Sequence, residues 1–394
     1  MHKTSEGSTR RLIELCFGYF FFYVITGIAV KYFMGKPELG FPGMSDMQYL
    51  VFSTAGGTGI ALLVVLAMRW FKLQSNRPLI KWGPFSFPYE YLYIIPSGIC
   101  TAVVIPTTTL MYTLPISVMV AMIIMRASII IISRLIDAVQ IWQKILHKKV
   151  YWQEDIAVVF ALIAACINIF NVKKDGFEFI KNPVAVGILT SYLIAYAIRL
   201  YIMNFYKNTR APGVKQDNKG FFAVEQIAAF FTMVAITVLV FNGPNWFGWT
   251  APQVVMFKDA IIHPPTLWQW ALLAGTAYGI VAFFSVFLFL FKGRTATFAG
   301  LVNRLTSLVA GTTATLMCAI FFKMKWPTST EWISLVFILI AVAFMSMAEK
   351  KRVCELVATH ELEINGENEK GCLNEAKSVV EKAKANAETL AEKK

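Results

Sequence analysis

The sequence predicts an all-α polytopic membrane protein with ten transmembrane helices arranged as two inverted five-helix repeats. Of its 394 residues, 57% are hydrophobic and only 15% are charged, whereas soluble domains average about 45 to 50% apolar and about 25% charged residues. Ten apolar stretches are long enough to cross about 30 Å of hydrocarbon as helices. Two of these stretches share a sequence pattern, which indicates a duplication. The composition excludes a soluble enzyme.

The apolar segments define the domain organisation. They are predicted at residues 12–32, 47–69, 89–112, 115–139, 156–172, 183–206, 221–241, 267–291, 296–322 and 330–348. A tight turn at Thr113 to Pro115 separates the third segment from the fourth, because proline lacks a backbone donor and disfavours helical geometry in the preceding residue. The chain then divides into a cytoplasmic N-terminus (1–11), a first five-helix repeat (12–172), an outer linker (173–182), a second five-helix repeat (183–348) and a cytoplasmic charged tail (349–394).

The formal net charge of +13 is explained by topology. With ten crossings, the loops and ends on the side of the N-terminus hold eighteen Lys and Arg residues, and the opposite side holds seven. Basic residues accumulate in cytoplasmic loops, so both termini are predicted to be cytoplasmic. A nucleic-acid partner is therefore not expected, and the default location is a plasma membrane or a bacterial inner membrane.

Three further features are interpreted structurally. The six cysteines are assigned to packing, since none forms a C-x-x-C pair or lies in an outer loop. The outer connection at 242–266 carries Trp246 and Trp249 and suits the membrane interface, with a lid as the alternative. The tail is expected to be solvated and partly helical, or at most a weak coiled coil.

The fourth and ninth segments carry the repeat. VAMIIMRAS (120–128) aligns with FAGLVNRLT (298–306), so that Arg126 matches Arg304 and Ser128 matches Thr306. Two halves with an odd number of crossings must have opposite orientations. Inverted repeats of this kind are typical of secondary transporters, whose substrate site lies near the midplane between the halves.

On these features, and on the stretch LPISVMVAMIIMRASIIIISRLID, residues 12–348 resemble the ten-helix members of the drug/metabolite transporter superfamily, which includes nucleotide-sugar transporters and bacterial metabolite exporters. The resemblance implies a cavity lined by segments 1–4 and 6–9, with segments 3, 4, 8 and 9 moving as gates. The charged tail and the long outer connection depart from the better-known subfamilies, and no signature identifies the substrate.

Charged residues inside spanning helices are costly unless they face protein, water or a partner, so each is a candidate. Arg126 and Arg304, with the adjacent Asn303, form a candidate clamp for a carboxylate or phosphate, because a guanidinium offers planar two-point hydrogen bonding. The alternative is that an acidic residue or a carbonyl neutralises each arginine and only locks helix packing.

The sixth to eighth segments add candidates for substrate binding and coupling. Arg199, with Tyr196 one turn away, is a candidate binding residue, although its side chain could instead reach the interface. Tyr278 is a candidate cavity residue. Glu225 could couple transport to protons or could simply pair with Arg199 or Arg304.

Other residues are candidates for gating. Arg134 and Asp137 are one turn apart, which favours a local ion pair, with a gate contact as the alternative. Pro96 and Pro106 make the third segment bendable. Gly275 and Gly279 could do the same for the eighth segment, or could only allow close packing.

The sequence thus predicts a secondary-active transporter that moves a small organic anion by alternating access. The alternatives are a proton-coupled exporter of amino acids, cationic drugs or metabolites, and a non-transporting membrane scaffold. An enzyme is not expected, because the four histidines are scattered and no catalytic motif lies in the helices. No cofactor or metal is predicted. The expected partners are a small-molecule substrate and the lipid bilayer, with a homodimer left open and no partner assigned to the tail.

Overall fold

The protein folds as a bundle of long α-helices. The computed structural model describes residues 7–75, 79–82, 85–113, 118–148, 150–167, 183–210, 214–324, 326–327 and 329–358. The helices are α1 (Thr9–Phe33), α2 (Asp46–Ala67), α3 (Tyr91–Thr113), α4 (Val118–Trp142), α5 (Trp152–Ile167), α6 (Pro183–Asn208), α7 (Asn218–Phe247), α8 (Pro252–Ile262), α9 (Trp268–Phe289), α10 (Ala296–Phe322) and α11 (Ser329–Ala358).

Within the described residues, eight helices are long and apolar enough to cross a membrane, namely α1, α2, α3, α6, α7, α9, α10 and α11. Large apolar side chains such as Phe17 and Leu63 are exposed on the outside of the bundle, as expected for helices whose solvent is lipid rather than water. The predicted helical fold is confirmed, and the length and composition of these eight helices suit a multi-pass membrane protein. The helices α4 and α5 coincide with the fourth and fifth predicted segments, but ten crossings in two inverted repeats stay a prediction.

Several boundaries differ from the predicted ones. The last helix, α11, continues to Ala358 instead of ending at residue 348, because Glu349 and Arg352 are buried with partners at the end of the bundle. The outer connection at 242–266 is mostly helical, since α7 runs to Phe247 and α8 follows. A short hairpin of β1 (Ile80–Trp82) and β2 (Phe85–Phe87), which the sequence did not predict, precedes α3.

Two predictions fall wholly or partly outside the described residues. The helix α3 ends at Thr113, where the predicted turn begins, but residues 114–117 are not described. Residues 359–394 of the tail are not described either. The assignment of all cysteines to packing is wrong for Cys354, which is disulfide-bonded.

One end of the bundle, called here the N-terminal end, is defined by the start of α1. There the Thr9 hydroxyl donates to Oε1 of Glu349 on α11 at 3.1 Å, and Nζ of Lys207 on α6 donates to the Phe289 carbonyl of α9 at 3.1 Å. Similar polar contacts show which helix ends lie here. They are the starts of α1, α3, α5, α7 and α10 and the ends of α2, α4, α6, α9 and α11. Apart from α8, successive helices therefore alternate in direction.

The helices pack in a regular set of pairs. α1 packs on α9 and α10, α3 packs on α6 and α7, α2 packs on α9, and α4 packs on α6 and α10. α5 packs on α11. The central contacts thus join helices from the two halves of the chain, and the space between them holds the candidate site.

Glycines allow α2 and α9 to approach closely. A Cβ atom at Gly275 would lie 2.0 Å from the Ser53 carbonyl oxygen, and one at Gly279 would lie 2.3 Å from the Gly57 carbonyl oxygen. Both distances are too short for any side chain. Of the two interpretations of this G-x-x-x-G, the geometry supports close helix packing.

We expect Gly279→Ala to lower the thermal stability of the protein in detergent, because its methyl group would push α9 away from α2. Overpacking of this kind costs about 1 to 3 kcal/mol. The thermal midpoint of the monodisperse protein, followed by size-exclusion chromatography after heating, measures the effect. Gly59→Ala is the matched control, since a Cβ atom there meets nothing within 4 Å. Equal midpoints for the two variants would contradict the packing interpretation.

Candidate substrate site

Arg304 of α10 lies inside the bundle and faces tyrosines. Its Nη2 donates to the Tyr196 hydroxyl at 2.6 Å, and its guanidinium carbon lies 5.2 Å from the centre of the Tyr196 ring. Its Nε is buried without a hydrogen-bond partner. Among the described residues no carboxylate forms an ion pair with Arg304. Its positive charge is therefore stabilised only by neutral phenols in the described part of the chain.

Five tyrosines from three helices, called here the tyrosine cluster, surround this guanidinium. Electrostatic interactions connect Arg304 or Tyr278 with the other members, which are Tyr19, Tyr23, Tyr192 and Tyr196. The rings of Tyr19 and Tyr23 on α1 are 5.5 Å apart, and those of Tyr192 and Tyr196 on α6 are 5.6 Å apart. The cluster offers hydroxyl donors and aromatic faces around one cation.

The sequence predicted Tyr196 and Tyr278 as site residues, but not the other three tyrosines. The missed signal is that Tyr19 and Tyr23 in the first segment have the same four-residue spacing as Tyr192 and Tyr196 in the sixth. Residues four apart share one face of a helix. The two pairs therefore present matching phenols from corresponding helices.

Asn303 is buried and has protein partners on both sides of its amide. Its Nδ2 donates to the Ser285 hydroxyl at 2.9 Å, and its Oδ1 lies 3.5 Å from the Tyr19 hydroxyl, which donates to it. This predicted binding residue therefore holds Tyr19 in place from behind the cluster.

Arg199 differs from Arg304 because it has a full carboxylate partner. Its Nε donates to Oε1 of Glu225 at 2.9 Å and its Nη2 to Oε2 at 3.1 Å. Both side chains are buried. The interpretation in which Glu225 partners Arg199 is confirmed, and the suggestion that Arg199 reaches the interface is wrong, since the ion pair retains it inside.

Two hydroxyls of α3 complete the shell of Glu225. Ser97 donates to Oε1 at 2.7 Å and Thr101 donates to the same oxygen at 3.3 Å. A Cβ atom at Gly98 would lie 2.5 Å from the Glu225 carbonyl oxygen, so α3 and α7 are in close contact here. The candidate gate residues Pro96 and Pro106 both lie within α3, and Pro96 directly precedes Ser97.

Arg126 on α4 lies nearer the opposite end of the bundle than Arg304. A Cβ atom at Gly311 of α10 would lie 3.9 Å from its Nη2. Gly311 is seven residues beyond Arg304, which is about 10 Å along the helix axis. In the described part of the chain Arg126 makes no hydrogen bond or ion pair, so this second predicted arginine also lacks a carboxylate.

The predicted local ion pair between Arg134 and Asp137 is wrong. Nε of Arg134 pairs with Oδ1 of Asp155 at 2.8 Å on a partly exposed surface. Asp137 is fully buried and accepts from the backbone N–H groups of Ala296 at 2.8 Å and Thr297 at 2.6 Å. A carboxylate at the start of a helix satisfies N–H groups that have no intrahelical partner. Asp137 thus joins the end of α4 to the start of α10.

Buried ion pairs at the N-terminal end were not predicted, because they involve the first residues of the supposed tail. Arg294 pairs with Glu349 through Nε and Oε2 at 3.1 Å. Arg352 contacts Oε1 of Glu154 at 3.4 Å, and the Thr295 hydroxyl donates to Oε2 of Glu154 at 2.7 Å. Together with Asp137, these contacts tie α4 and α5 to α10 and α11.

Among the described residues, the centre of the bundle offers a guanidinium without a carboxylate partner and phenol hydroxyls, all suited to an oxyanion. Within the described ranges, no group of three His, Cys, Asp or Glu side chains is placed to hold a metal ion.

No protein-family model and no curated protein matches the chain. One solved structure, described as "Crystal structure of protein", is similar to it with a TM-score of 0.48 and 12% sequence identity, over 87% of this chain and 99% of that chain.

Proposed function

We propose that the protein is a secondary transporter of a small organic anion that works by alternating access between two inverted halves. The observation that carries this proposal is Arg304, a guanidinium enclosed by tyrosines and without a carboxylate partner among the described residues. A charge inside a membrane protein is costly unless it is compensated. An anionic substrate would supply the missing compensation during each transport cycle.

Arg199 provides the internal comparison. In the same bundle, the buried guanidinium of Arg199 is paired with both oxygens of the Glu225 carboxylate, which also accepts hydrogen bonds from two hydroxyls. Arg304 lies within electrostatic range of the same tyrosines but has no such carboxylate in the described part of the chain. The difference favours a structural role for Arg199 and a binding role for Arg304. It also weakens the exporter alternative, in which Glu225 matters more than the arginines, because both oxygens of that carboxylate are already bound by Arg199.

Two features support the inverted repeat that alternating access requires. The eighth and ninth predicted segments correspond to α9 and α10, so the repeat partners are α1 and α6, α3 and α9, and α4 and α10. If each helix is replaced by its repeat partner, the contact of α1 with α9 becomes that of α6 with α3. In the same way, the contact of α1 with α10 becomes that of α6 with α4. Likewise α2 with α9 becomes α7 with α3. The paired tyrosines of α1 and α6 repeat the same relation in the sequence.

The hydrogen bonds and the ion pair that join the two halves at the N-terminal end suggest which side is closed. They connect α4 and α5 of the first half with α10 and α11 of the second. In alternating access, the two halves rock around the substrate site. Contacts between the halves then break on one side of the membrane while other contacts form on the opposite side. The excess of basic residues makes this end cytoplasmic in our proposal, in a plasma or bacterial inner membrane. Membership of the drug/metabolite transporter superfamily belongs to the same proposal.

The test is transport by the full-length protein in liposomes loaded with sugar phosphates, nucleotide sugars or carboxylates. We expect exchange of at least one of these anion classes and loss of that exchange in Arg126→Ala. Accumulation of organic cations driven by a proton gradient, with no anion exchange, would contradict the proposal. A chain that ends at Ala358 should still transport, whereas a scaffold that acts through its tail would show no transport in either form.

A further inference from the structure

A third basic residue, Lys31, lies on the same side of α10 as the two arginines. Near the end of α1, its Nζ donates to the Thr315 hydroxyl of α10 at 2.7 Å. Thr315 in turn donates to the carbonyl of Gly311 at 3.0 Å, the residue beside Arg126. Lys31 and Arg126 are thus next to adjacent turns of one helix.

The helical geometry aligns these groups in a row. At 3.6 residues per turn, Gly311 and Thr315 each fall within about 20° of the direction of Arg304 around α10. The row from Arg304 past Arg126 to Lys31 spans eleven residues of α10, or about 16 Å. It leads from the tyrosine cluster towards the end of the bundle opposite the N-terminal end.

Among the described residues, the charge balance of the outer part of this row is positive. Glu331 of α11 and Cys318 of α10 are the titratable groups that interact electrostatically with Lys31. In the described structure neither Lys31 nor Arg126 forms an ion pair with a carboxylate. In this part of the structure Lys31 therefore has one acidic neighbour, Glu331, and Arg126 adds a second positive charge.

We propose that Lys31, Thr315 and Arg126 form a second anion site, which receives the phosphate group of an organic phosphate before it reaches Arg304. The ammonium, which Thr315 holds in place, and the guanidinium provide several donors for phosphate oxygens, and the guanidinium binds two of them at once. The absence of a side chain at Gly311 leaves space beside Arg126. This inference rests on the proposed function and narrows its substrate class to phosphates.

The experiment is equilibrium dialysis of the full-length protein in detergent against radiolabelled inorganic phosphate. We expect about two phosphates per wild-type chain, one at each site. Lys31→Met should lose one of them and retain the other, and Arg304→Met should lose the other. Lys31→Arg keeps the charge and should retain both. Lys36→Met removes a lysine that is exposed just beyond α1 and should bind as the wild type does.

The outcomes separate the two proposals. Wild-type stoichiometry in Lys31→Met together with loss in Arg304→Met would overturn the second site and leave the proposed function intact. Unchanged binding in both variants, or no binding to the wild type, would overturn the second site, and anion exchange in liposomes then decides the proposed function separately. A Lys31→Met protein that elutes and melts like the wild type excludes misfolding, and the conservative Lys31→Arg variant provides a further check on the fold.

Discussion

Arg304→Met is expected to abolish anion exchange without destabilising the protein. Replacing the guanidinium removes a two-point contact to the substrate, and each hydrogen bond to a charged group contributes about 1.5 to 3 kcal/mol. A loss of about 3 kcal/mol corresponds to a roughly 100-fold lower affinity. The thermal midpoint should stay the same or rise, because the variant no longer buries a cation that lacks a carboxylate partner in the described structure.

The measurement combines exchange rates in liposomes with thermal midpoints in detergent. Arg304→Lys serves as the control for charge, since it keeps the cation but loses the planar fork, and it should retain part of the affinity. Tyr196→Phe removes only the hydroxyl that now holds the guanidinium, and it should change affinity less than Arg304→Met does. Wild-type exchange by Arg304→Met would show that this arginine does not bind substrate.

The sequence predicted the helices well because a membrane imposes a simple rule on them. A spanning helix needs about 20 apolar residues, and this length is visible without any tertiary information. The extension of α11 to Ala358 escaped prediction, since residues 349–358 are charged and their burial depends on Arg294 and Glu154 from distant parts of the chain.

The candidate site was predicted in part. Arg304 and Arg126 were identified because a charge in an apolar segment is conspicuous, but the sequence could not tell which arginine has an acidic partner. Glu225 is 26 residues from Arg199, and only the packing of α6, α7 and α3 brings the two side chains together. For Asp137, the sequence predicted an ion pair that does not form. Arg134 is one turn away along the helix, but it pairs with Asp155 instead.

Glu225→Gln is expected to produce the largest loss of stability. It leaves Arg199 buried without a charged partner, and breaking a buried ion pair costs about 3 to 5 kcal/mol. Arg199→Met should cost a similar amount because it leaves the carboxylate buried. The double variant Arg199→Met/Glu225→Gln removes both charges, so its loss of stability should be well below the sum of the single losses.

The free energy of unfolding of the full-length protein, from titration with a denaturing detergent, completes this double-mutant cycle. Glu14→Gln provides the surface control, since Glu14 pairs with Arg11 where both side chains are about 40% exposed, at 41% and 43%, and such pairs contribute about 0 to 1 kcal/mol. Additive losses in the cycle would show that the pair is not coupled. If the double variant is stable and still exchanges anions, Glu225 holds α6 and α7 together and carries no proton through the cycle; loss of exchange in that stable protein would instead give Glu225 a direct part in transport.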